Sequence, residues 1–436
     1  MKLKMIVAAV AVTVSTGAFA KGSMHQQVQE RQQNGSLSFA TDSELSYQML
    51  NNQEVTGSAL KILHARQSGE ITPNVINIGG KGEVYAVYRK VDSKSNSAVY
   101  PSNEGSSTTA IKFPFFDLSF TGAVSDWTSA YIDLRASDVS SSDIKLPHVY
   151  FVIGNLDKAP VYGFAGKKVV EFGDFSSANN FMPTLTRAYF MAYGAQAGVG
   201  YADHGVNAVF TVMNGNGKYL LNSKASSANQ LNNFALSATY NNDLHDVAYH
   251  AGAGYINATG FSRKATNNNS GSTMVGAFDI NAGMEVHGLA VNGEMLMTIQ
   301  GVHGMNDASV YCNADHDTSP TTLNTHLAGD MAGYKAFAFN ALPALVNFNS
   351  GSTVKAWSLD SSYTMPFAGK DMVPYLSYNH VVQNADNNLY QIEVGSRYNV
   401  VDAVWVGGSY NYTSGKSSGT NVGKFNTVML NASVYF

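Results

Sequence analysis

A cluster of metal-binding residue types lies in the longest connection of this 436-residue chain. It consists of Cys312, Asp315, His316 and Asp317. Thiolate, imidazole and carboxylate groups are ligands for zinc and ferrous iron. Because their spacing matches no closed metal site, we expect a solvated acidic loop here. We expect no bound metal and no other cofactor.

Four cations have the chemistry to hold an anionic group, since arginine in particular forms bidentate hydrogen bonds with carboxylates. They are Arg135, Arg187, Lys355 and Arg397. The alternative is that each cation balances a neighbouring acid. The acids considered for such pairing are Asp279, Glu285 and Glu393.

Motifs for catalysis are missing from the sequence. It contains no G-x-S-x-G elbow, no H-E-x-x-H pair and no glycine-rich phosphate loop with a lysine. His245-Asp246 and Asp315-His316-Asp317 have acid–base types but no serine at a fixed place. A catalytic triad is defined by geometry, so these pairs alone do not indicate one. The sequence favours a protein that is not an enzyme.

The first twenty residues have the pattern of a secretory signal peptide. Lys2 and Lys4 precede the apolar stretch Met5–Val14, and Ala18-Phe19-Ala20 is a small-x-small cleavage site. We therefore expect residues 1–20 to be removed on export. Loss of the two lysines changes the formal net charge from −4 to −6.

The composition excludes several classes of protein. Charged residues make up 13% of the chain, about half the usual share, while 40 glycines and 46 Tyr and Phe residues are present. A nucleic-acid partner would need a basic patch, which the sequence lacks. The single cysteine cannot form an internal disulfide.

Residues 79–436 alternate between apolar and polar types, which predicts an all-β fold with about sixteen strands. The predicted connections alternate between long and short. The long ones cover roughly 92–112, 137–147, 174–186, 215–231, 259–272, 301–352, 382–388 and 413–424. This asymmetry is typical of a transmembrane antiparallel β-barrel with short periplasmic turns and long external loops.

The two faces of the predicted strands differ in charge. Phe278, Ile280 and Met284 lie on one face, and Asp279 and Glu285 lie on the other. A charge on the lipid face near the midplane costs about 2–4 kcal/mol, so the charged face must see water. About sixteen strands leave an aqueous channel, and the candidate cations and acids would line it. Arg187 would begin a strand predicted over residues 188–201, near the rim that carries the long loops.

The chain ends on a strand with an apolar face that includes Val428, Leu430, Val434 and Phe436. Such an aromatic end resembles the C-terminal strand of bacterial outer-membrane barrels, which the assembly machinery recognises. We expect Val434 and Phe436 to act in assembly, with this strand paired to the first one near residues 82–89.

The sequence leaves alternatives open for two segments. Residues 21–78, with helical spacing over Thr41–Gln67, form a periplasmic segment, a segment inserted into the barrel mouth, or a partly disordered lead-in. The connection at 301–352 either folds into the pore as a constriction, with Asp315, His316 and Asp317 facing the permeant, or forms an external loop.

One block of sequence resembles a known family. It contains I-G-N-L at Ile153–Leu156, A-G-K-K at Ala165–Lys168 and F-G-D-F at Phe172–Phe175. It resembles the outer-membrane siderophore porins similar to the legiobactin receptor, from Legionella, Coxiella and Francisella relatives. Residues 181–187 depart from the acidic, Pro-Leu-containing loop of that family, which puts the ligand in doubt more than the fold.

The resemblance implies a single-chain barrel in the bacterial outer membrane that passes or binds an iron–siderophore chelate without a TonB-type plug domain. The alternatives are a general diffusion porin and a non-conducting structural or adhesive barrel. The expected partners are outer-membrane lipid, the barrel-assembly machinery and a small solute, with the chain as a monomer or trimer.

Overall fold

A computed structural model describes residues 38–53, 55–91, 107–113, 115–136, 144, 146–178, 184–214, 231–259, 274–302, 351–417 and 419–436. The expected signal peptide lies outside these ranges. So do the Cys312–Asp317 cluster and almost all of the 301–352 connection. The constriction predicted for that connection therefore lies outside the described residues.

The described strands form one closed antiparallel sheet. They are β1 (Ser38–Ala40), β2 (Val75–Val91), β3 (Ser107–Lys112), β4 (Phe116–Ala123), β5 (Thr128–Ala136), β6 (Val149–Gly154), β7 (Val161–Val169), β8 (Tyr193–Asp203), β9 (Val206–Asn214), β10 (Leu231–Leu244), β11 (Val247–Ile256), β12 (Ala277–Val286), β13 (Leu289–Thr298), β14 (Lys355–Tyr363), β15 (Met365–Phe367), β16 (Lys370–Asn384), β17 (Asn387–Val401), β18 (Val404–Ser417) and β19 (Thr420–Tyr435). Each barrel strand pairs with the next, and β19 pairs with β2.

These segments make sixteen barrel strands. β3 and β4 both pair with β2 and form one interrupted strand, and β14 and β15 likewise share β16. β1 is a short parallel addition to the start of β2. The prediction of a sixteen-strand antiparallel barrel is confirmed. The barrel begins at Val75 instead of residue 79.

Period-two alternation separates an apolar outer face from a polar inner face. In β5, Tyr131, Asp133 and Arg135 are buried inside the barrel, and Ile132 is exposed outside. In β12, Phe278 and Ile280 are exposed outside, and Asp279 is buried inside. Since successive side chains of a strand point to opposite faces, each register in the barrel fixes which residues face the lumen.

Tight turns join strands at one rim. Positive φ values occur at both central residues of the His204-Gly205 turn (48° and 82°) and of the His287-Gly288 turn (47° and 82°). This is the backbone of type I′ hairpins, whose twist matches that of the flanking strands. We call this edge the short-turn rim and the opposite edge the long-loop rim.

Two connections predicted to be long at the long-loop rim are short. β16 and β17 are joined by a turn at Ala385-Asp386, and β18 and β19 are separated by two residues. The prediction failed because strands β16 to β19 extend several residues beyond their apolar segments. Polar residues such as Asn387 and Asn388 continue the backbone ladder there.

Three helices are present in the described ranges: α1 (Ser43–Asn52), α2 (Ser58–Gln67) and α3 (Leu185–Phe190). Asp42 caps α1, because its Oδ1 accepts from Glu44 N at 2.9 Å and Leu45 N at 3.2 Å. Gly57, with φ of 78°, supplies the left-handed residue that starts α2. Within the described ranges, no helix is long and apolar enough to cross a membrane.

Candidate functional site: the lumen of the barrel

The inward face of β2 to β7, which we call the paired wall, carries charges in matched pairs. Arg135 Nε and Nη2 donate to Asp117 Oδ1 and Oδ2 at 2.6 and 2.7 Å, a bidentate contact. The other charged pairs are Lys81 with Glu83 and Lys168 with Glu171, and His148 is hydrogen-bonded to Asp133. Arg135, predicted as a candidate for anion binding, is thus engaged with its neighbouring acid.

The connection between β7 and β8 folds into the lumen. We call residues 170–192 the inner loop; 179–183 lie outside the described residues. Asp174 N and Phe175 N both donate to Glu294 Oε1 on β13, at 2.8 and 3.0 Å. Helix α3 packs against β13, β14 and β16, so the inner loop crosses the lumen to the far side of the barrel.

The inner loop corrects one prediction. Arg187 was expected to begin a strand, over residues 188–201, near the long-loop rim. It lies on α3 inside the lumen, and the strand starts at Tyr193. The helix forms because its apolar side chains, Leu185 and Phe190, have a cluster to join. They pack with inward-facing residues that include Ala356, Val381 and Leu389.

The inward face of β12 to β14, which we call the acidic wall, carries acids without cations. Asp279, Glu294 and Asp360 are 2%, 7% and 1% exposed. One carboxylate oxygen of each has no hydrogen-bond partner. No ion pair joins these acids to a cation in the described part of the chain. Asn281 Nδ2 donates to Asp279 Oδ2 at 2.6 Å.

Helices α1 and α2, the lumen helices, lie against the inside of the paired wall. Leu45, Met49, Ile62 and Leu63 form one apolar cluster with inward-facing wall residues. Those wall residues include Tyr131, Tyr150, Val152, Phe164 and Val209. An apolar inward face on these strands would be poorly solvated in an open lumen, and the helices cover it.

The segment between the lumen helices is hydrogen-bonded to the inner loop. Thr56 Oγ1 donates to Gly173 O, and Gly57 N donates to Glu171 Oε2, both at 2.7 Å. Lys61 on α2 also faces this region. Burial lowers the pKa of Lys61 from its usual value of 10.5, and the nearby carboxylates of Asp174 and Glu171 oppose that shift.

An aromatic cluster surrounds Arg397 near the short-turn rim. The Arg397 guanidinium lies 5.3 Å from the Trp405 ring centroid, and its Nη1 is 3.4 Å from Tyr47 Oη on α1. The Tyr47 ring stacks on Trp405 at 5.9 Å and meets Tyr435 edge-on at 4.9 Å. The cluster therefore joins α1 to β17, β18 and β19.

The remaining candidate site residues are dispersed. Glu393 is buried in the wall and accepts from Tyr375 Oη at 3.1 Å. Glu285 faces inward but is exposed beside the His287-Gly288 turn. Lys355 does not line the pore as predicted, because the register of β14 puts it on the outer face with Trp357 and Leu359.

The chain end seats on the first barrel strand. Gly80 N donates to Phe436 O at 2.9 Å, Phe436 N donates to Gly80 O at 3.1 Å, and Phe436 stacks on Phe116 at 5.8 Å. A Cβ on Gly80 would lie 2.1 Å from Phe436 Cζ, so this seat requires glycine. Val434 lies on the same outer face. Their role in assembly stays a prediction.

Several lumen residues were missed by sequence reasoning. Asp360 lies on the face of β14 opposite Trp357 and Leu359, and Glu294 lies on the face of β13 opposite Met295. The period-two pattern could therefore have placed both acids on the inner face. No pattern in the sequence connects Tyr47 with Trp405. Within the described ranges, no group of three or more His, Cys, Asp or Glu side chains is placed to hold a metal ion.

Comparison with solved structures identifies the fold. The structure of Salmonella typhi OmpF in complex with daunomycin matches with a TM-score of 0.52 at 10% identity, over 83% of this chain and 97% of that one. The outer-membrane channel DcaP of Acinetobacter baumannii matches with 0.51 at 12% identity, over 83% and 97%. Pseudomonas putida OprB matches with 0.50 at 10% identity, over 83% and 94%.

No protein-family model and no curated protein sequence matches the chain. The structural matches are too distant in sequence to show more than architecture. With the apolar outer face described above, they establish the class: this chain folds as a closed sixteen-strand β-barrel of the bacterial outer-membrane type.

Proposed function

We propose that this protein is an outer-membrane channel for small solutes. The observation that carries the proposal is the polar and charged inner face of the barrel, enclosed by an apolar outer face. In a bilayer, charged side chains on the inner face are tolerated because the lumen holds water. The porin and channel architectures that match the chain support the same function.

The path for solutes lies on one side of the lumen in this proposal. The lumen helices cover the paired wall, and the inner loop crosses toward the acidic wall. Partly exposed inward residues occur on β10 to β17 toward the short-turn rim, namely Asn241, His250, Asn292, Ser362, Arg397 and Asn399. Solute would pass along these residues.

Conductance in planar bilayers tests the channel. Purified full-length protein should give discrete current steps in KCl, because water fills the free part of the lumen. Removing residues 41–67 should raise the step size, since it takes the lumen helices out of the barrel. Folded protein that gives no current would leave the structural or adhesive barrel as the better interpretation.

An iron–siderophore chelate is the specific solute that the family resemblance suggests. The block that carries the resemblance contacts the lumen helices, since Arg66 Nη1 donates to Gly154 O at 3.1 Å and Thr56 donates to Gly173 O. A deletion strain should then take up its native siderophore more slowly. Unchanged siderophore uptake together with bilayer conductance would favour a general diffusion porin.

We further propose that outer-membrane lipid surrounds the apolar outer face and that the barrel-assembly machinery inserts the chain through its last strand. The chain acts as a monomer or trimer, and it is not an enzyme.

A further inference from the structure

Arg397 differs from the other lumen cations whose partners are described above. Lys81, Arg135 and Lys168 each have a carboxylate partner on the paired wall. Arg397 makes no ion pair within the described residues, and its neighbours are the Tyr47 hydroxyl and the Trp405 ring. Its charge is therefore not cancelled by an adjacent acid.

The guanidinium of Arg397 keeps donors that are not in use. An arginine offers five N–H donors in a planar fork, and within the described residues its one hydrogen bond is the 3.4 Å contact from Nη1 to Tyr47 Oη. Nε is buried and has no acceptor in that part of the chain. Buried donors in native proteins are nearly always paired, so an unpaired Nε calls for a missing acceptor.

The surroundings hold the fork in one orientation. Trp405 stacks near the guanidinium on one side, and Tyr47 is fixed in turn by Trp405 and by the edge of Tyr435. Arg397 remains partly exposed beside α1, which contributes Tyr47. A fixed, planar and solvent-reachable guanidinium matches the geometry of a carboxylate, which binds arginine through two parallel hydrogen bonds.

We propose that Arg397, oriented by Trp405 and Tyr47, binds the carboxylate group of a permeating organic anion at the short-turn end of the lumen. This inference rests on the proposed channel function. The site is built from two parts of the chain, because Tyr47 comes from α1 and the other two residues come from adjacent barrel strands. The lumen helices thus contribute to selectivity as well as to narrowing the lumen.

The test measures ion preference in planar bilayers with purified full-length protein. The reversal potential in a KCl gradient gives the anion-to-cation permeability ratio, and added benzoate gives the concentration that halves the KCl current. Arg397→Gln should lower the permeability ratio and weaken the benzoate effect about tenfold, the size expected for losing a charged hydrogen-bonding partner. Arg397→Lys keeps the charge but not the fork, so it should restore the permeability ratio and leave benzoate binding weak.

Lys355→Gln is the matched control. It removes one positive charge from the outer face and should change neither quantity. If Arg397→Gln conducts with the wild-type permeability ratio and benzoate response, the anion site is wrong while the channel stands. If Arg397→Gln does not fold, wild-type benzoate binding in Arg397→Lys overturns the site. Absence of current from the folded wild-type protein would instead contradict the channel itself.

Discussion

The paired wall and the acidic wall both hold buried carboxylates inside the barrel, but they stabilise them in different ways. On the paired wall, Arg135 and Asp117 compensate each other through two short hydrogen bonds. On the acidic wall, Glu294 has no cation partner among the described residues and accepts two backbone N–H groups of the inner loop instead. This ion pair joins β4 to β5 on the first wall, and hydrogen bonds hold a loop on the second.

The difference implies different tolerances to substitution. A buried ion pair contributes little net stability, but removing one partner leaves an uncompensated charge away from water. A carboxylate that only accepts hydrogen bonds from neutral donors can be replaced by an amide oxygen of the same shape. The paired wall should therefore require that its charges stay balanced, whereas the acidic wall should require only a hydrogen-bond acceptor.

Breaking the Arg135–Asp117 pair should have the largest effect. Asp117→Asn leaves the Arg135 guanidinium buried without its carboxylate, so we expect the free energy of unfolding to fall by about 3–5 kcal/mol. Guanidinium denaturation of the protein in detergent or lipid, followed by tryptophan fluorescence, measures this change.

The double variant Asp117→Leu with Arg135→Leu is the matched control. It removes both charges, and we expect it to be closer to the wild type than Asp117→Asn, because no charge is left unpaired. A single variant that is as stable as the wild type would show that the charge pair does not distinguish the paired wall.

Sequence patterns predicted the barrel strands but not how the lumen helices and the inner loop pack inside the barrel. Strict alternation in segments such as Phe278–Glu285 predicted both the strands and their lumen faces, because the register of a closed sheet follows from which face is apolar. Ile62 shares an apolar cluster with Val152, and Phe190 shares one with Val381. Both clusters depend on which parts of the chain meet inside the lumen. The local periodicity of the sequence does not indicate these contacts between distant segments.

Arg187 and Lys355 were placed wrongly for different reasons. Arg187 follows a Pro-containing segment that resembles the start of a strand, yet tertiary packing makes it helical. Lys355 begins β14 on the same face as Trp357 and Leu359, so the period-two pattern of that strand already indicates the outer face. The first error needs the tertiary structure to correct it, whereas the second needs only the alternation of the strand.

Glu294 tests the acidic wall with an intermediate effect. Glu294→Gln keeps an oxygen for Asp174 N and Phe175 N, and we expect the free energy of unfolding to change by less than about 1 kcal/mol. Glu294→Ala leaves both backbone donors unpaired, so it should cost about 1–3 kcal/mol and release the inner loop. Protease cleavage within residues 170–192 measures that release. Equal cleavage of the two variants would show that the loop does not depend on this acceptor.

Lys61 lies between the two regions and should give the smallest effect. Its pKa is lowered from 10.5 because burial outweighs the attraction of two carboxylates of the inner loop. Asp174 lies where that loop is bound to the acidic wall, and Glu171 pairs with Lys168 of the paired wall. A lysine with a lowered folded-state pKa binds more protons when unfolded, so its contribution to stability increases as pH rises toward 10.5. The Lys61→Met variant should lack that increase. The denaturation midpoints of the wild type and of the variant should therefore approach each other as pH rises from 8 to about 10. A constant difference over this range would mean that Lys61 titrates normally, and that the region between the two walls is more open to water than the packing of α2 implies.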